Sequence, residues 1–240
     1  FSIRVFFWHK NRTYKIMTKK FCILFSVTFL LSSCIEIIDD IKLNLDGSGT
    51  FKYNINLSSS RTKVNSIIAL DSLDGRKVPS LDEIKNKVNI FEELLNKQEG
   101  ITNVQIDKDF NQFIFKVQCD FKSIHNLQKG LKNVISQISS DPKINEAKYN
   151  WLSSDSCQFN RMVPQVSTDQ VSRIPQNDMD LLKNGIYISI TRFNNEIEKV
   201  SNGNSKLSKD KKAVMLKTSP YVLTKNKNVL NNTITLKDLN

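Results

Sequence analysis

"IEIIDDIKLNLDGSGTFKYNINLS", residues 35–58, is two strand-like runs joined by a glycine turn. In the second run Phe51, Tyr53, Ile55 and Leu57 alternate with Lys52, Asn54 and Asn56, the period of a strand with one face buried. Asp46-Gly47-Ser48-Gly49 predicts a hairpin, because glycine adopts the positive φ that such turns demand. Ile35 to Leu45 is then the partner strand. A calcium loop is the rival reading of "NLDGSG", and it fails on register. With Gly47 at the sixth loop position the first is Lys42 and the twelfth is Tyr53, where carboxylates are required.

Downstream, Arg61 to Leu73 predicts a helix through Val64, Ile67, Ile68 and Leu70. Ser80-Leu81-Asp82-Glu83 is a capping box, in which the serine oxygen and the glutamate carboxylate each satisfy an orphan N–H. The helix behind it carries Leu81, Ile84, Val88, Phe91, Leu94 and Leu95 on one face to about Gln98, and Gly100 ends it. Ile101–Asp107 and the alternating Phe113, Phe115, Val117 and Cys119 predict two strands around Asp109-Phe110-Asn111. Ser123 caps a further helix whose face is Ile124, Leu127, Leu131, Val134, Ile135 and Ile138, and Asp141-Pro142 stops it. Gly130 inside it costs about 1 kcal/mol relative to alanine.

Toward the end of the chain, Lys148–Leu152 and Cys157–Val163 predict a hairpin around Ser154-Asp155. A short helix is expected around Asp178–Lys183, then a strand through Ile186, Ile188 and Ile190. Leu207–Ser208 pairs with Val214–Lys217 around Lys209–Lys212. Val229–Lys237 closes the chain with Leu230, Asn232, Ile234 and Leu236 on one face. The expected class is α+β: mostly antiparallel sheet with two to three packed amphipathic helices.

Upstream of the hairpin, "FCILFSVTFLLSSC" (residues 21–34) is apolar from Phe21 to Leu31 except at Ser26 and Thr28. That is too short for a membrane span of about 20 residues, and it fits the core of a secretory signal behind a basic start, Met17-Thr18-Lys19-Lys20. Leu31-Ser32-Ser33-Cys34 resembles the lipobox of bacterial lipoproteins. The resemblance implies a diacylglycerol on the Cys34 thiol and cleavage before it. The chain then divides into residues 1–16, read as an upstream extension of the reading frame, residues 17–33, a signal peptide, and a mature domain over 34–240 of one or two subdomains. Export and an acyl anchor place that domain in the cell envelope, on the periplasmic or outer face of a membrane.

Processing changes the charge. The chain of 240 residues carries +11, and loss of the six basic residues in 1–33 leaves +5. That is a solubility charge rather than a nucleic-acid footprint, so no nucleic acid is expected as partner. Once Cys22 is removed and Cys34 acylated, Cys119 and Cys157 remain, an even pair that an oxidising compartment can join as a disulfide.

"CIEIIDDIKLNLDGSGTFKYNINLS" resembles the mature start of uncharacterised Bacteroidetes lipoproteins, and "KVSNGNSKLSKDKKAVMLK…VLNNTITL" is similar to their closing strands. The same pattern is similar to the LppM-type lipoprotein domain of mycobacteria. The resemblance implies an anchored α+β envelope domain and transfers no catalytic residue. The LppM-type comparison implies lipid or membrane-surface association.

Catalytic chemistry finds little to work with. The mature region has one histidine, His125, so a zinc site lacks its ligands and a triad must use His125, which reads as an exposed or partly packed residue in the first turn of a predicted helix rather than a catalytic base. Gly47 and Gly49 precede a strand rather than a helix, which excludes a phosphate loop. The acids Asp39-Asp40, Asp71, Asp74 and Glu92-Glu93 read as solvated charge. Tyr149, Trp151 and Phe159 read as core or cross-strand aromatics. No cofactor and no metal are expected. The expectation is a non-catalytic lipoprotein that binds an envelope protein or an apolar ligand, against the alternative of an envelope hydrolase with a carboxylate pair.

Overall fold

The computed structural model describes residues 35–73, 75–138, 152–155, 158–162, 176–226 and 228–237. The opening hairpin forms as the alternation predicts. Strands β1 (Glu36–Leu43) and β2 (Gly49–Asn56) pair antiparallel, with Asp39 opposite Tyr53 and Leu43 opposite Gly49. Gly47 takes φ +81°, and its N–H donates to the Asn44 carbonyl at 3.1 Å. At Gly49 the constraint is space: a Cβ there would lie 2.0 Å from the Lys42 carbonyl oxygen and 2.5 Å from the Phe121 ring.

A helix α1 (Arg61–Ile68) follows, shorter than the sequence suggests. Ser72–Leu73 (β3) and Arg76–Lys77 (β4) form a small hairpin instead, with Gly75 at φ +74°. The local turn outcompetes a helical face that has nothing to pack on, since α1 buries no residue. The capping box forms at Ser80, and α2 (Leu81–Asn96) runs behind it into strands β5 (Ile101–Asp109) and β6 (Ile114–Phe121). Gly100 stands between them at φ +71°. Ser123 Oγ accepts the Asn126 N–H at 3.1 Å and starts α3 (Ile124–Ile138). Ile124, Leu127, Leu131 and Val134 are buried, whereas Ile135 is 37% exposed and leaves the expected face. Gly130 is buried because the end of α2 lies close: a Cβ would touch Gln98 at 3.2 Å and Ile101 at 3.3 Å. The helix cost of that glycine buys a tight helix-to-sheet approach.

Strands β7 (Leu152–Asp155) and β8 (Gln158–Arg161) form the expected hairpin, but Asp155 pairs with Gln158. Ser154 and Asp155 therefore lie within β7 and do not form the turn. Helix α4 (Gln176–Lys183) leads into β9 (Ile186–Phe193) and β10 (Ile197–Val200). The lysine-rich hairpin is β11 (Lys206–Leu207) with β12 (Ala213–Thr218), then a short helix α5 (Pro220–Lys225) and the closing strand β13 (Asn232–Leu236).

These strands build two main sheets. The larger has seven strands in the order β11-β12-β9-β1-β2-β6-β5, and the smaller has four in the order β10-β13-β8-β7. Every pairing is antiparallel except β1 with β9, which run parallel and in register from Glu36–Ile186 to Leu43–Phe193. The class is α+β, as the sequence predicts. One face of the large sheet is covered, by α2 and α3 toward β5 and by the small sheet toward β9. Ile41, Phe51, Cys119, Phe121, Leu95, Leu127, Phe159 and Ile234 share the main core, and Tyr187, Leu216 and Leu230 form a smaller cluster. The Phe159 and Phe193 rings meet edge to face at 5.9 Å.

The other face is covered by no element among the described residues. It carries a half-buried apolar strip, Ile38, Ile188, Ile190 and Met215, flanked by Lys42, Lys52, Lys116, Arg192 and Lys217. The alternating isoleucines of β9 thus line the open side, while Tyr187, Ser189, Thr191 and Phe193 face the core. Neighbouring strands on both sides supply apolar company for either face, so hydrophobic alternation alone did not assign the inner one.

Candidate functional site

Charge and polarity concentrate at one place inside the core. Asp39 lies on the covered face of β1, where the Ile37–Ile41–Leu43 series calls for an apolar residue. Tyr53 stands opposite it on β2, and Tyr187 lies one row away on β9. Arg161 reaches across from β8 of the small sheet: its Nη2 donates to Asp39 Oδ2 at 2.5 Å. The Tyr187 hydroxyl donates to the same oxygen. Asp39 is 2% exposed and Arg161 7%, so the pair is shielded from water. Among the described residues, Asp39 Oδ1 and Arg161 Nε and Nη1 have no hydrogen-bond partner.

Burial, and then the Asp39 charge, push the Tyr53 phenol up to about 12 and hold Tyr187 well above the ordinary tyrosine value. Burial pulls the Arg161 guanidinium down, but the Asp39 charge, then Tyr187, outweigh it, and its pKa is raised. At neutral pH the phenols are therefore donors and the guanidinium stays charged. The cluster holds no poised base or nucleophile. It acts as a polar staple between the two sheets, and removing one member leaves a buried charge unmatched, at about 3–5 kcal/mol.

The acids expected to be solvated divide accordingly. Asp39 is a correction: it is buried and ion-paired, because hairpin register and a partner strand far along the chain turn it inward. Asp40 points to the open face, where Arg192 Nε donates to both its carboxylate oxygens at 3.0 Å. Successive residues of one strand cannot share a cleft, so these two carboxylates form no catalytic pair. Glu92 binds Lys108 at 2.7 Å and Glu93 binds Lys97 at 2.5 Å on the surface of α2. Asp71 is exposed, and Asp74 lies outside the described residues.

The open face carries a groove of about 420 Å³. Ile38 floors it, and Asp40, Lys52, Asn54, Asp107 and Gln118 surround it. Lys116 closes on Asp107 at 3.0 Å, and Asn54 Oδ1 is buried with no partner among the described residues. Tyr53 lines the groove as well, whereas Asp39, Arg161 and Tyr187 do not.

His125 is exposed on α3. Cys119 is a fully buried free thiol whose pKa burial, helped by the Asp120 charge, raises to about 12. Cys157 and Cys34 lie outside the described residues, as do Tyr149 and Trp151. Phe159 belongs to the core. Among the described residues no group of three His, Cys, Asp or Glu side chains is placed to hold a metal, and no helix is long and apolar enough to cross a membrane. The staple itself left one trace in the sequence: an aspartate at a core position of β1, opposite a tyrosine.

No family model matches the chain, and no curated protein matches it. Among solved structures it is similar to the folded domain of the Mycobacterium tuberculosis LppM protein, determined by NMR. The two are 11% identical, with a TM-score of 0.38 over 86% of this chain and 92% of that one.

Proposed function

We propose that this chain is a lipid-anchored cell-envelope protein whose domain binds another envelope protein or an apolar ligand and catalyses no reaction. The observation that carries the anchor is a spacing. The lipobox-like Leu31-Ser32-Ser33-Cys34 ends an apolar run behind Lys19-Lys20, and strand β1 opens two residues later, at Glu36. An acyl group on Cys34 would then sit two residues before β1. The domain then stands on the periplasmic or outer face of a membrane.

Support for binding rather than catalysis comes from the distribution of polar groups. The buried charges are locked to one another, and the phenols beside them are held protonated. The open face instead offers an apolar strip with a basic margin and a groove where the Asn54 amide oxygen has no partner among the described residues, which suits association with a surface or an apolar molecule. The anchor is tested by feeding cells an alkyne fatty acid and fractionating them. Label on the wild-type chain in the membrane fraction, absent from Cys34→Ser, supports the reading. Equal label on both chains, or none on the wild type, overturns it.

A further inference from the structure

The tether that Cys34 provides has almost no slack. Ile35 is already part of the fold: its carbonyl accepts the Ile186 N–H at 2.7 Å. The Cα of residue 34 is therefore about 3.8 Å from a fixed Cα. A lipid on that residue would draw one end of the large sheet to the bilayer, the end where β1 and β9 begin.

A distinct group of side chains occupies that end. Gly185 precedes Ile186, and the first turn of α5 sits on it, since a Cβ at Gly185 would meet the Pro220 ring at 3.0 Å. Beside this contact Tyr221 lies between two cations: Lys183 Nζ of α4 is 5.6 Å from its ring centre and Lys225 Nζ of α5 is 5.8 Å away. Val222 is exposed next to them, and Lys217 is exposed at the end of β12. Lys183 also pairs with Asp180 of its own helix at 3.2 Å. An aromatic ring, an aliphatic side chain and flexible lysines are the residues that settle at a lipid headgroup layer, where each lysine adds attraction to anionic lipid.

The densest basic segment is elsewhere. Phe193 N–H donates to the Lys212 carbonyl at 2.8 Å, so Lys209, Lys211 and Lys212 lie beyond the far end of β9. Seven strand steps of about 3.3 Å put that turn roughly 23 Å from the tethered end. This exceeds two Debye lengths at physiological salt, about 16 Å. Net charge would nominate the wrong surface; the tether selects the right one.

We propose that the α4–α5 corner, with Lys183, Lys225, Tyr221 and Val222, rests on an anionic bilayer surface as a second contact beside the lipid on Cys34. The proposal rests on the lipid-anchor reading, and its test separates the two. The purified full-length product is first weighed intact. A mass lacking the acyl adduct overturns the anchor and this inference together. The lipidated protein is then placed on vesicles of zwitterionic lipid alone or with one-third anionic phosphatidylglycerol, and its lysines are labelled with an acetylating reagent. The expected result is protection of Lys183 and Lys225 by about fivefold on anionic vesicles, reversed at 1 M salt, with Lys209, Lys211 and Lys212 changed by less than twofold. In Lys183→Gln/Lys225→Gln, protection of Lys217 should fall. Adduct present but equal labelling at both ends, or protection confined to Lys209–Lys212, would overturn the proposal and leave the anchor standing.

Discussion

Replacing Arg161 by methionine removes the one cation that pairs with Asp39 among the described residues, while keeping most of the side-chain volume. Asp39 Oδ2 then keeps only the Tyr187 hydroxyl, and the carboxylate stays 2% exposed. Breaking a buried pair from one side costs about 3–5 kcal/mol. For a domain of this size about 1 kcal/mol moves the melting temperature by 2–4 °C, so a fall of roughly 6–20 °C is expected. Asp39→Leu should cost about as much, because it strands a guanidinium that already has two nitrogens with no partner among the described residues. The double replacement Asp39→Leu/Arg161→Met removes both charges and should recover most of the loss, since apolar substitutes for a buried pair are often neutral. Urea unfolding followed by far-UV circular dichroism measures all four proteins as one cycle. If Arg161→Met lost under 1 kcal/mol, or the double variant lost the sum of the singles, the staple would not be holding the sheets together.

The phenols give a pH signature. Tyr53 and Tyr187 keep their protons above pH 10 in the folded state, whereas unfolded tyrosines lose theirs there, so stability is full below pH 10 and falls as pH rises toward 12. The slope should reach at most about 1.4 kcal/mol per pH unit for each phenol, less for the half-buried Tyr53, and Tyr187→Phe should flatten it; an unchanged slope in that variant would contradict the assignment. Gly49→Ala forces a Cβ onto the Lys42 carbonyl and the Phe121 ring, and should cost about 1–3 kcal/mol or more in the same urea assay. Cys119 should resist a thiol reagent in the native protein and react only on unfolding; rapid native labelling of that residue, read by peptide mapping, would contradict its burial. His125→Ala should unfold at the wild-type urea midpoint, since the imidazole is exposed on α3.

Local signals carried much of this architecture. The Asp46–Gly49 turn, the Ser80–Glu83 box and the Ser123 cap each act within four residues, so each was legible in the sequence and each is present. The parallel join of β1 to β9 was not legible, because it links residues about 150 apart and leaves no local mark. That join decides the site. It gives β1 an inner neighbour, puts Tyr187 within reach of Asp39, and turns the Ile186–Ile190 alternation outward. Arg161 was hidden for the same reason: nothing near residue 161 announces that its partner is at residue 39. Helix α1 formed but stopped at Ile68 rather than Leu73, because its apolar period had no surface to bury against.

Tethered placement at Cys34 is the claim on which location, orientation and the membrane contact depend. The most direct measurement is the mass of the N-terminal peptide of the protein isolated from membranes. The expected peptide begins at Cys34, carries a diacylglycerol on its sulfur and continues Ile35-Glu36. A peptide that begins upstream of Cys34, or at Cys34 with a free thiol, would contradict it.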